Sequence, residues 1–361
     1  MIYPLLPFAC LYDVVTAIRN FMYDYGVISS RSYDVPVICV GNLAVGGTGK
    51  TPHTEYLIRL LQSAGYKVAV LSRGYKRKTR GYVLASTEST AADIGDEPKQ
   101  MKSKFPSLVV AVDEDRCDGI DHLMAGADTH DVDVILLDDA FQHRRVTPGL
   151  SLLLTDSHHT YADDYLMPAG RLRENKRGSK RADIVVVTKL TTEVDDDTAS
   201  EYARKLRIEE HQTLYFTRYR YGDLYNPAGS IPLNDVDRYN VLVVTGIASP
   251  ETMERELSKH ADISVIRFGD HHDFTHRDYM TIHDAYESMP DDKPRIVVTT
   301  EKDMTRLHLD SILPHGALYA LPIEVEVVHD GKDMFNQQII DYVRENSRNS
   351  KVSQAVDDGQ A

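Results

Sequence analysis

A mostly parallel α/β sheet core joined to a smaller α/β domain is the fold that this 361-residue sequence predicts. Three observations point to it. Short runs rich in Val, Ile and Leu recur between residues 35 and 190, separated by helical or loop segments, as strands buried on both faces of a parallel sheet do. The first run, Val35 to Val40, leads directly into the glycine-rich stretch GNLAVGGTGKT at 41–51. Past residue 211 the texture becomes Tyr-rich and ends in turn formers, TLYFTRYRYGDLYNPAGSIP, and then a second set of apolar runs begins.

The core strands expected in order are VPVICV, KVAVLS, SLVVAV, DVILLD, LSLLLT and DIVVVT. A helix is expected over Thr51 to Ala64, so the glycine-rich stretch lies between a strand and a helix. Residues 211–232 read as an extended linker and not as a buried parallel strand. NVLVVTG, DISVIRF and RIVVTT supply the second domain, LYALPIEVEVV (318–328) runs back beside the linker, and a helix from about Lys332 to Asn346 closes the fold. The domain reading is residues 1–30 as an N-terminal helix, 31–210 as the core, 211–232 as the linker region, 233–345 as the smaller α/β domain, and 346–361 as a disordered tail.

At the N-terminus, Phe8, Leu11, Val15, Ile18 and Met22 recur at helical spacing, with Asp13, Thr16, Asn20 and Asp24 on the opposite face. That pattern fits a helix packed on its own protein and also one lying in a membrane interface. Acids on the polar face count against the second. No segment approaches the length of a membrane span, and the N-terminus lacks the basic start of a signal peptide. A net charge of −14 argues against nucleic acid as a partner. Cys10, Cys39 and Cys117 form no CxxC pair and no zinc spacing, which reads as reduced thiols in a cytoplasmic protein.

The glycine-rich stretch departs from the phosphate-loop pattern G-x-x-x-x-G-K-[ST] only at its first position, which holds Ala44. Gly46, Gly47 and Gly49 supply the positions where φ is positive or a phosphate leaves no room for a Cβ. The loop Ala44, Val45, Gly46, Gly47, Thr48, Gly49, Lys50 and Thr51 is therefore expected to bind a nucleotide, with Lys50 on the β- and γ-phosphates and the Thr51 hydroxyl on Mg²⁺. DVILLDD ends in Asp138 and Asp139, which brings carboxylates to the same rim. A guanine-reading N/T-K-x-D tetrad is missing: Thr188-Lys189-Leu190-Thr191 lacks the Asp, and Thr300-Glu301-Lys302-Asp303 has it one position early. The signature lysine of K-G-G-x-G-K-T ATPases is replaced by Val45.

Two basic islands, SRGYKRKTR (72–80) and AGRLRENKRGSKR (169–181), stand out in an acidic chain, and Arg73 and Arg171 are the candidates to clamp an anionic substrate. Lys76 to Arg80 reads better as a solvated charge run. In Gly95-Asp96-Glu97-Pro98, Asp96 can be a base or a helix cap, and spacing alone favours the cap. In Asp270-His271-His272, spacing alone favours exposed histidines.

Taken together and in this order, GNLAVGGTGKTP, LSRGY, GDEP, DDAFQHRR, PAGRLRE, FGDHHDF and TEKD resemble the tetraacyldisaccharide 4′-kinases of lipid A biosynthesis, from about Tyr3 to Asp341. That family has a P-loop core and a smaller α/β domain joined by a two-stranded linker. It transfers the γ-phosphate of ATP, with Mg²⁺, to the 4′-hydroxyl of a tetraacyl disaccharide 1-phosphate. The resemblance implies Lys50, Asp96 and His271 as catalytic residues, with Asp96 the base on the sugar hydroxyl and His271 its partner from the second domain. It implies Thr51, Asp138, Asp139 and Glu97 at the metal, and places Arg73, Gln142 and Arg171 in substrate-binding motifs. It further implies a monomer peripheral on the cytoplasmic face of the inner membrane, docked through its N-terminal helix. The family's loops carry a small residue at the position of Ala44. The other readings are a P-loop kinase for a different lipid-linked sugar, or a P-loop ATPase switch without group transfer, for which GDEP and DHH would have no role.

Overall fold

The apolar runs fold into the parallel core that their composition requires. In the computed structural model, which describes residues 3–247, 250–270, 272–307, 309 and 312–347, the chain opens with α1 (Leu6–Asp24), β1 (Val37–Asn42), α2 (Lys50–Ser63), β2 (Val68–Ser72) and β3 (Val83–Leu84). It continues through α3 (Ala91–Ile94), α4 (Asp96–Lys104), β4 (Val109–Val112), α5 (Arg116–Ala125), β5 (Val134–Asp138), β6 (Leu150–Asp156), β7 (Ile184–Thr188), α6 (Asp196–Leu206) and β8 (Thr213–Tyr221). The next elements are β9 (Leu224–Asn226), β10 (Gly229–Ile231), β11 (Asn240–Thr245), α7 (Glu251–Leu257), β12 (Ile263–Arg267), α8 (His276–Glu287), β13 (Arg295–Thr300), α9 (Glu301–Met304) and β14 (Leu318–Leu321). The last two are β15 (Ile323–Val327) and α10 (Lys332–Asn346). The tail read as disordered lies, from residue 348 on, outside the described residues.

The chain divides into two compact units, one made of residues to Tyr219 and from Val325, the other of Arg220–Glu324. The first is built on a nine-stranded sheet in the order β15-β8-β7-β6-β1-β5-β2-β4-β3. From β8 through β4 every neighbouring pair is parallel, and β3 closes the edge antiparallel. Successive side chains of a strand point to opposite faces, so each strand feeds two cores. Cys39, Leu71, Leu137 and Leu153 pack with Ile120 and Leu123 of α5. Ile38, Val70, Leu136 and Leu152 pack with Leu57, Ile58 and Leu61 of α2. The second unit has a six-stranded sheet, β10-β9-β14-β13-β11-β12, parallel from β14 to β12 with β9 and β10 antiparallel.

Two expectations change. Residues 213–219, read as extended linker and not as a buried parallel strand, form one: β8 pairs in parallel with β7, from Ile184 against Thr213 to Val187 against Phe216. Tyr215 and Phe216 are buried in opposite cores, so a strand rich in Tyr and Arg hides its apolar character in two rings. β15 runs beside β8, as the reading of 318–328 expected, and on these neighbouring strands the chain leaves the first unit and returns to it. The boundary at 345 also shifts. Phe335, Ile339 and Val343 of α10 pack with Leu57, Ile58 and Leu152, so α10 belongs to the first unit, although it follows the second in sequence.

Gly41 sits where β1 meets the loop after β5. A Cβ there would lie 2.6 Å from the Phe141 Cβ and 3.0 Å from its backbone nitrogen. Gly41→Ala is therefore expected to destabilise the first unit by roughly 1–3 kcal/mol through overpacking. Chemical denaturation checks this, and an unchanged midpoint would contradict the close approach.

Candidate active site

The glycine loop has the backbone that phosphate binding needs. Gly46 (φ 107°) and Gly49 (φ 91°) adopt conformations that side chains other than glycine resist, and Gly49 is the N-cap of α2. A Cβ on Gly49 would also lie 2.3 Å from the Tyr219 hydroxyl, so this position is closed twice over. Around Gly47 nothing lies within 4 Å of a built Cβ, which leaves the mouth of the loop open. The loop is braced from behind. The Asn42 amide donates to the Thr48 hydroxyl (2.7 Å), and the Thr188 hydroxyl donates to the Thr48 carbonyl (2.9 Å). Buried His53 bonds the Gly49 carbonyl through Nδ1 (2.8 Å) and the Thr217 hydroxyl through Nε2 (3.0 Å). Burial pushes His53 down to about 4, so it stays neutral, with Nδ1 the donor and Nε2 the acceptor.

Ala44 stands at the entry to the loop. It bridges antiparallel to Leu172, while Val45 N–H donates to the Arg171 carbonyl (2.8 Å) and Arg173 N–H donates to the Leu43 carbonyl (2.7 Å). The entry is thus a short β-ladder, where a methyl group is tolerated and glycine is not required.

β5 delivers the acid pair to the same rim, and Asp139, at φ 48°, turns the chain away from the strand. Lys50 Nζ lies 3.7 Å from Asp139 Oδ1. Arg173 Nη2 donates to Asp139 Oδ1 (2.7 Å) and also reaches the Asn42 side chain. The Thr54 hydroxyl donates to Asp138 Oδ1 (3.2 Å). Burial and then the neighbouring Asp139 push Asp138 up to about 6, with Glu97 adding in the same direction. Burial would raise Asp139 too, but Lys50 and Arg173 outweigh it and hold that carboxylate below its ordinary range.

GDEP and LSRGY meet on this rim. A Cβ on Gly95 would touch the Gly74 Cα at 3.1 Å, and one on Gly74 would sit 2.9 Å from the Ile94 carbonyl. Gly95, not Asp96, is the N-cap of α4, so the cap reading of Asp96 gives way: Asp96 and Glu97 are its first two residues. Thr51 is the second residue of α2, next to Lys50. Arg73 is exposed after β2. Gln142 Nε2 donates to the Asn42 carbonyl (2.7 Å) and to Glu174 (3.1 Å), and Arg171 Nε donates to Asp164 (2.8 Å). Arg173, two residues beyond the arginine that the sequence singled out, is the one on the acid pair. Nothing in local spacing distinguishes the two; a strand-like alternation of 171 and 173 against the loop entry was the available signal.

In the second unit, His271 lies outside the described residues. His272 Nε2 contacts Asp278 (3.0 Å) in the capping box of α8 and stacks on Phe268. Asp303 of TEKD is fully buried and accepts from Gly246 N–H (2.8 Å), from Arg306 (2.5 Å) and from the Thr300 hydroxyl (2.8 Å), which makes it the knot of its own loops.

Comparison with known proteins matches residues 1–344 to the LpxK family model, described as tetraacyldisaccharide-1-P 4′-kinase. Among relatives, the tetraacyldisaccharide 4′-kinase of Bacteroides thetaiotaomicron is 48% identical over 97% of this chain and 95% of its own length. That of Flavobacterium johnsoniae is 42% identical over 95% of this chain and 97% of its own. Among solved structures, LpxK from Aquifex aeolicus in complex with ATP superposes with a TM-score of 0.74 at 27% identity, covering 95% of this chain and 99% of that one.

The acid pair makes a signed prediction. Because Asp138 is raised in the fold, it binds its proton more tightly there than in the unfolded chain, so its charge costs stability above about pH 6, and that cost fades as pH falls toward 4. With nucleotide and divalent cations removed, Asp138→Asn is expected to be more stable than wild type at pH 8 by on the order of 1–3 kcal/mol, with the gap closing near pH 4. Denaturant midpoints at both pH values measure it. An Asn variant less stable at pH 8 would refute the raised carboxyl.

Proposed function

The chain belongs to the tetraacyldisaccharide-1-P 4′-kinase family, and from that premise we propose that it transfers the γ-phosphate of ATP to the 4′-hydroxyl of a tetraacyl disaccharide 1-phosphate in lipid A biosynthesis. One chain of contacts carries the reading. The Tyr12 hydroxyl of α1 donates to the Arg173 carbonyl (2.8 Å), the Arg173 guanidinium holds Asp139, and Asp139 lies 3.7 Å from Lys50. The helix that suits a lipid and the loop that suits a nucleotide are thus linked through three contacts.

α1 is amphipathic in the inverted sense. Its polar side docks: Asn20 bonds Glu174 (3.1 Å), Asn175 bonds Asp13 (3.0 Å), and Arg144 bonds both the Asn20 carbonyl (2.9 Å) and Asp24 (2.6 Å). Phe8, Leu11, Val14, Val15, Ile18 and Phe21 are each more than half exposed. The acids that argued against an interfacial helix are therefore engaged inward, and the outward face is the apolar one. No helix of the described residues is long and apolar enough to cross a membrane. The proposed location is the inner membrane's cytoplasmic surface, with α1 lying in the lipid interface.

The donor set fits the groups that the reaction needs. Backbone N–H groups of the loop and the N-terminus of α2 suit the nucleotide's phosphates. Thr51, Asp138, Asp139 and Glu97 offer hydroxyl and carboxylate oxygens, which suit Mg²⁺, and two adjacent acids with one raised to about 6 are a pair that a cation would relieve. Mg²⁺, when bound, would neutralise charge on the transferring phosphoryl group. Lys50 neutralises it from the loop side. Asp96, at the first turn of α4, is proposed to orient the sugar hydroxyl and accept its proton late. His271 is proposed as its partner on the family pattern alone. Arg73, Gln142 and Arg171 are proposed to contact substrate, although the Gln142 amide nitrogen and the Arg171 Nε already serve the fold.

The test is purified protein with radiolabelled ATP, Mg²⁺ and the tetraacyl disaccharide 1-phosphate in detergent, the lipid resolved by chromatography. Wild type is expected to label the lipid. Asp96→Ala should retain ATP binding and lose roughly 10²- to 10⁴-fold in turnover, while Lys50→Ala should lose both. ATP binding with no labelled lipid would refute the acceptor, and near-normal turnover in Asp96→Ala would refute the base. On α1, Leu11→Asp with Ile18→Asp should leave thermal stability within about 0.5 kcal/mol, since both positions are exposed, and reduce co-sedimentation with lipid vesicles. Unchanged co-sedimentation would remove α1 from the membrane.

A further inference from the structure

The turn between β4 and α5 carries three acids in a row, and two of them have cations. Glu114 pairs with Arg77 (2.8 Å) and Asp115 with Arg145. Asp113 is placed differently. It is 2% exposed, its Oδ1 accepts from the Asp115 N–H (2.9 Å), and its buried Oδ2 has no hydrogen-bond partner among the described residues. Arg116, the cation nearest in sequence, donates to the Asp113 backbone carbonyl and not to the carboxylate. A buried carboxylate oxygen left idle is costly unless something completes it.

Two further ligand groups meet Asp113 there. Asp118 and His122 lie four residues apart on α5 and so share one face of that helix. His122 Nδ1 is 3.4 Å from Asp118 Oδ2. One carboxylate oxygen from each aspartate and one ring nitrogen of His122 all lie within 4.8 Å of one another. Gly119 makes the close approach possible. A Cβ there would lie 3.1 Å from the Asp113 Cβ and 2.8 Å from two methyl carbons of Leu71. Tyr82, just before β3, stacks on the imidazole with ring centroids 4.7 Å apart and fixes its plane.

We propose that Asp113, Asp118 and His122 bind a divalent metal ion of the Zn²⁺ class, which clasps α5 to the end of β4. Two carboxylates and one neutral imidazole balance a charge of 2+, so the buried oxygen gains a partner and the adjacent acids lose their repulsion. The imidazole decides the class of ion, because Mg²⁺ takes an all-oxygen set, whereas Zn²⁺ accepts nitrogen and oxygen together. With metal–ligand distances of about 2.0–2.2 Å, ligand atoms on a tetrahedral ion stand roughly 3.4 Å apart. His122 and Asp118 already have that spacing, and both side chains are about half exposed, free to close on the fixed Asp113. Nδ1 also lies 2.9 Å from the Asp118 carbonyl, so an ion on Nδ1 leaves the imidazole proton on Nε2. The site shares no residue with the acid pair at the end of β5, and it requires neither nucleotide nor lipid.

The experiment is equilibrium dialysis of the full chain, stripped with chelator, against micromolar Zn²⁺ in the presence of millimolar Mg²⁺, which occupies oxygen-only donors. Wild type is expected to hold one equivalent of Zn²⁺ that Mg²⁺ does not displace, and to melt at a higher temperature with Zn²⁺ than with chelator. His122→Ala should weaken Zn²⁺ binding by roughly 100-fold or more, since loss of even an outer partner of a metal ligand costs 10- to 100-fold. Its melting temperature should no longer respond to Zn²⁺, while in chelator it stays within about 3 °C of wild type, because the side chain is exposed. If His122→Ala does not fold, Asp118→Asn carries the comparison with the same losses expected. Wild type without Mg²⁺-resistant Zn²⁺ refutes the site. So does a folded variant that binds Zn²⁺ as wild type does, an outcome that assigns the ion to other surface histidines.

Discussion

The first unit is organised around the electrostatics of two adjacent carboxylates at the end of a buried strand. Asp138 is 4% exposed and held by Thr54, and Asp139 turns out of the strand beside it. Two such charges in a low-dielectric setting repel, and each loses solvation. Lys50 and Arg173 supply the compensation, and each comes from a different segment: the start of α2 and the stretch that ladders with the loop entry. Compensation is therefore also assembly. Neither the glycine loop nor the 171–173 segment can leave without exposing the acid pair to its own repulsion, and the charge still unbalanced at Asp138 is what makes the rim receptive to a cation.

Residues 171–175 act as a splint along this rim. Their backbone pairs with Leu43 and Val45 at the loop entry, and Arg173 reaches back to Asn42 and Asp139. Glu174, fully buried, accepts from Arg181 (2.8 and 2.9 Å), Gln142 and Asn20. Four hydrogen bonds from three side chains on one buried carboxylate explain how a charge with no exposure is tolerated. The same few residues tie α1, the glycine loop and the acid pair into one piece. That rigidity is what a transfer reaction asks of groups that must be aligned before they react.

What could be read from the sequence follows from the range of the interactions. The buried parallel strands were legible because each carries its own apolar run, and the glycine loop because positive φ and a following helix are local requirements. β8 was not, since its burial rests on Tyr215 and Phe216 entering opposite cores while Arg218 and Tyr219 beside them look like linker. α10 was misplaced because its apolar stripe says that it packs and not against what. Asn42, His53 and Arg173 were passed over for a related reason. Their positions are decided by partners 6 to 164 residues away, and the identity of a single polar residue does not reveal whether it is buried.

α1 shows the same limit in its sharpest form, and the resolution has a physical consequence. Periodicity finds two faces but is symmetric as to which one turns inward. Polar docking settles it, because Asp13, Asn20 and Asp24 have dedicated partners on the core while the apolar face has none among the described residues. A helix that docked through its apolar face would have to come away from the protein to enter a lipid interface, losing one burial to gain another. Here the two attachments use different faces and do not compete: apolar surface can leave water, at about 25 cal/mol per Å², with every bond from Tyr12, Asn20, Asn175 and Arg144 intact. On the proposed function, membrane binding then sets the depth of Arg173 and the acid pair through a fixed linkage, so an acyl-anchored sugar meets the phosphate loop without the enzyme refolding to receive it.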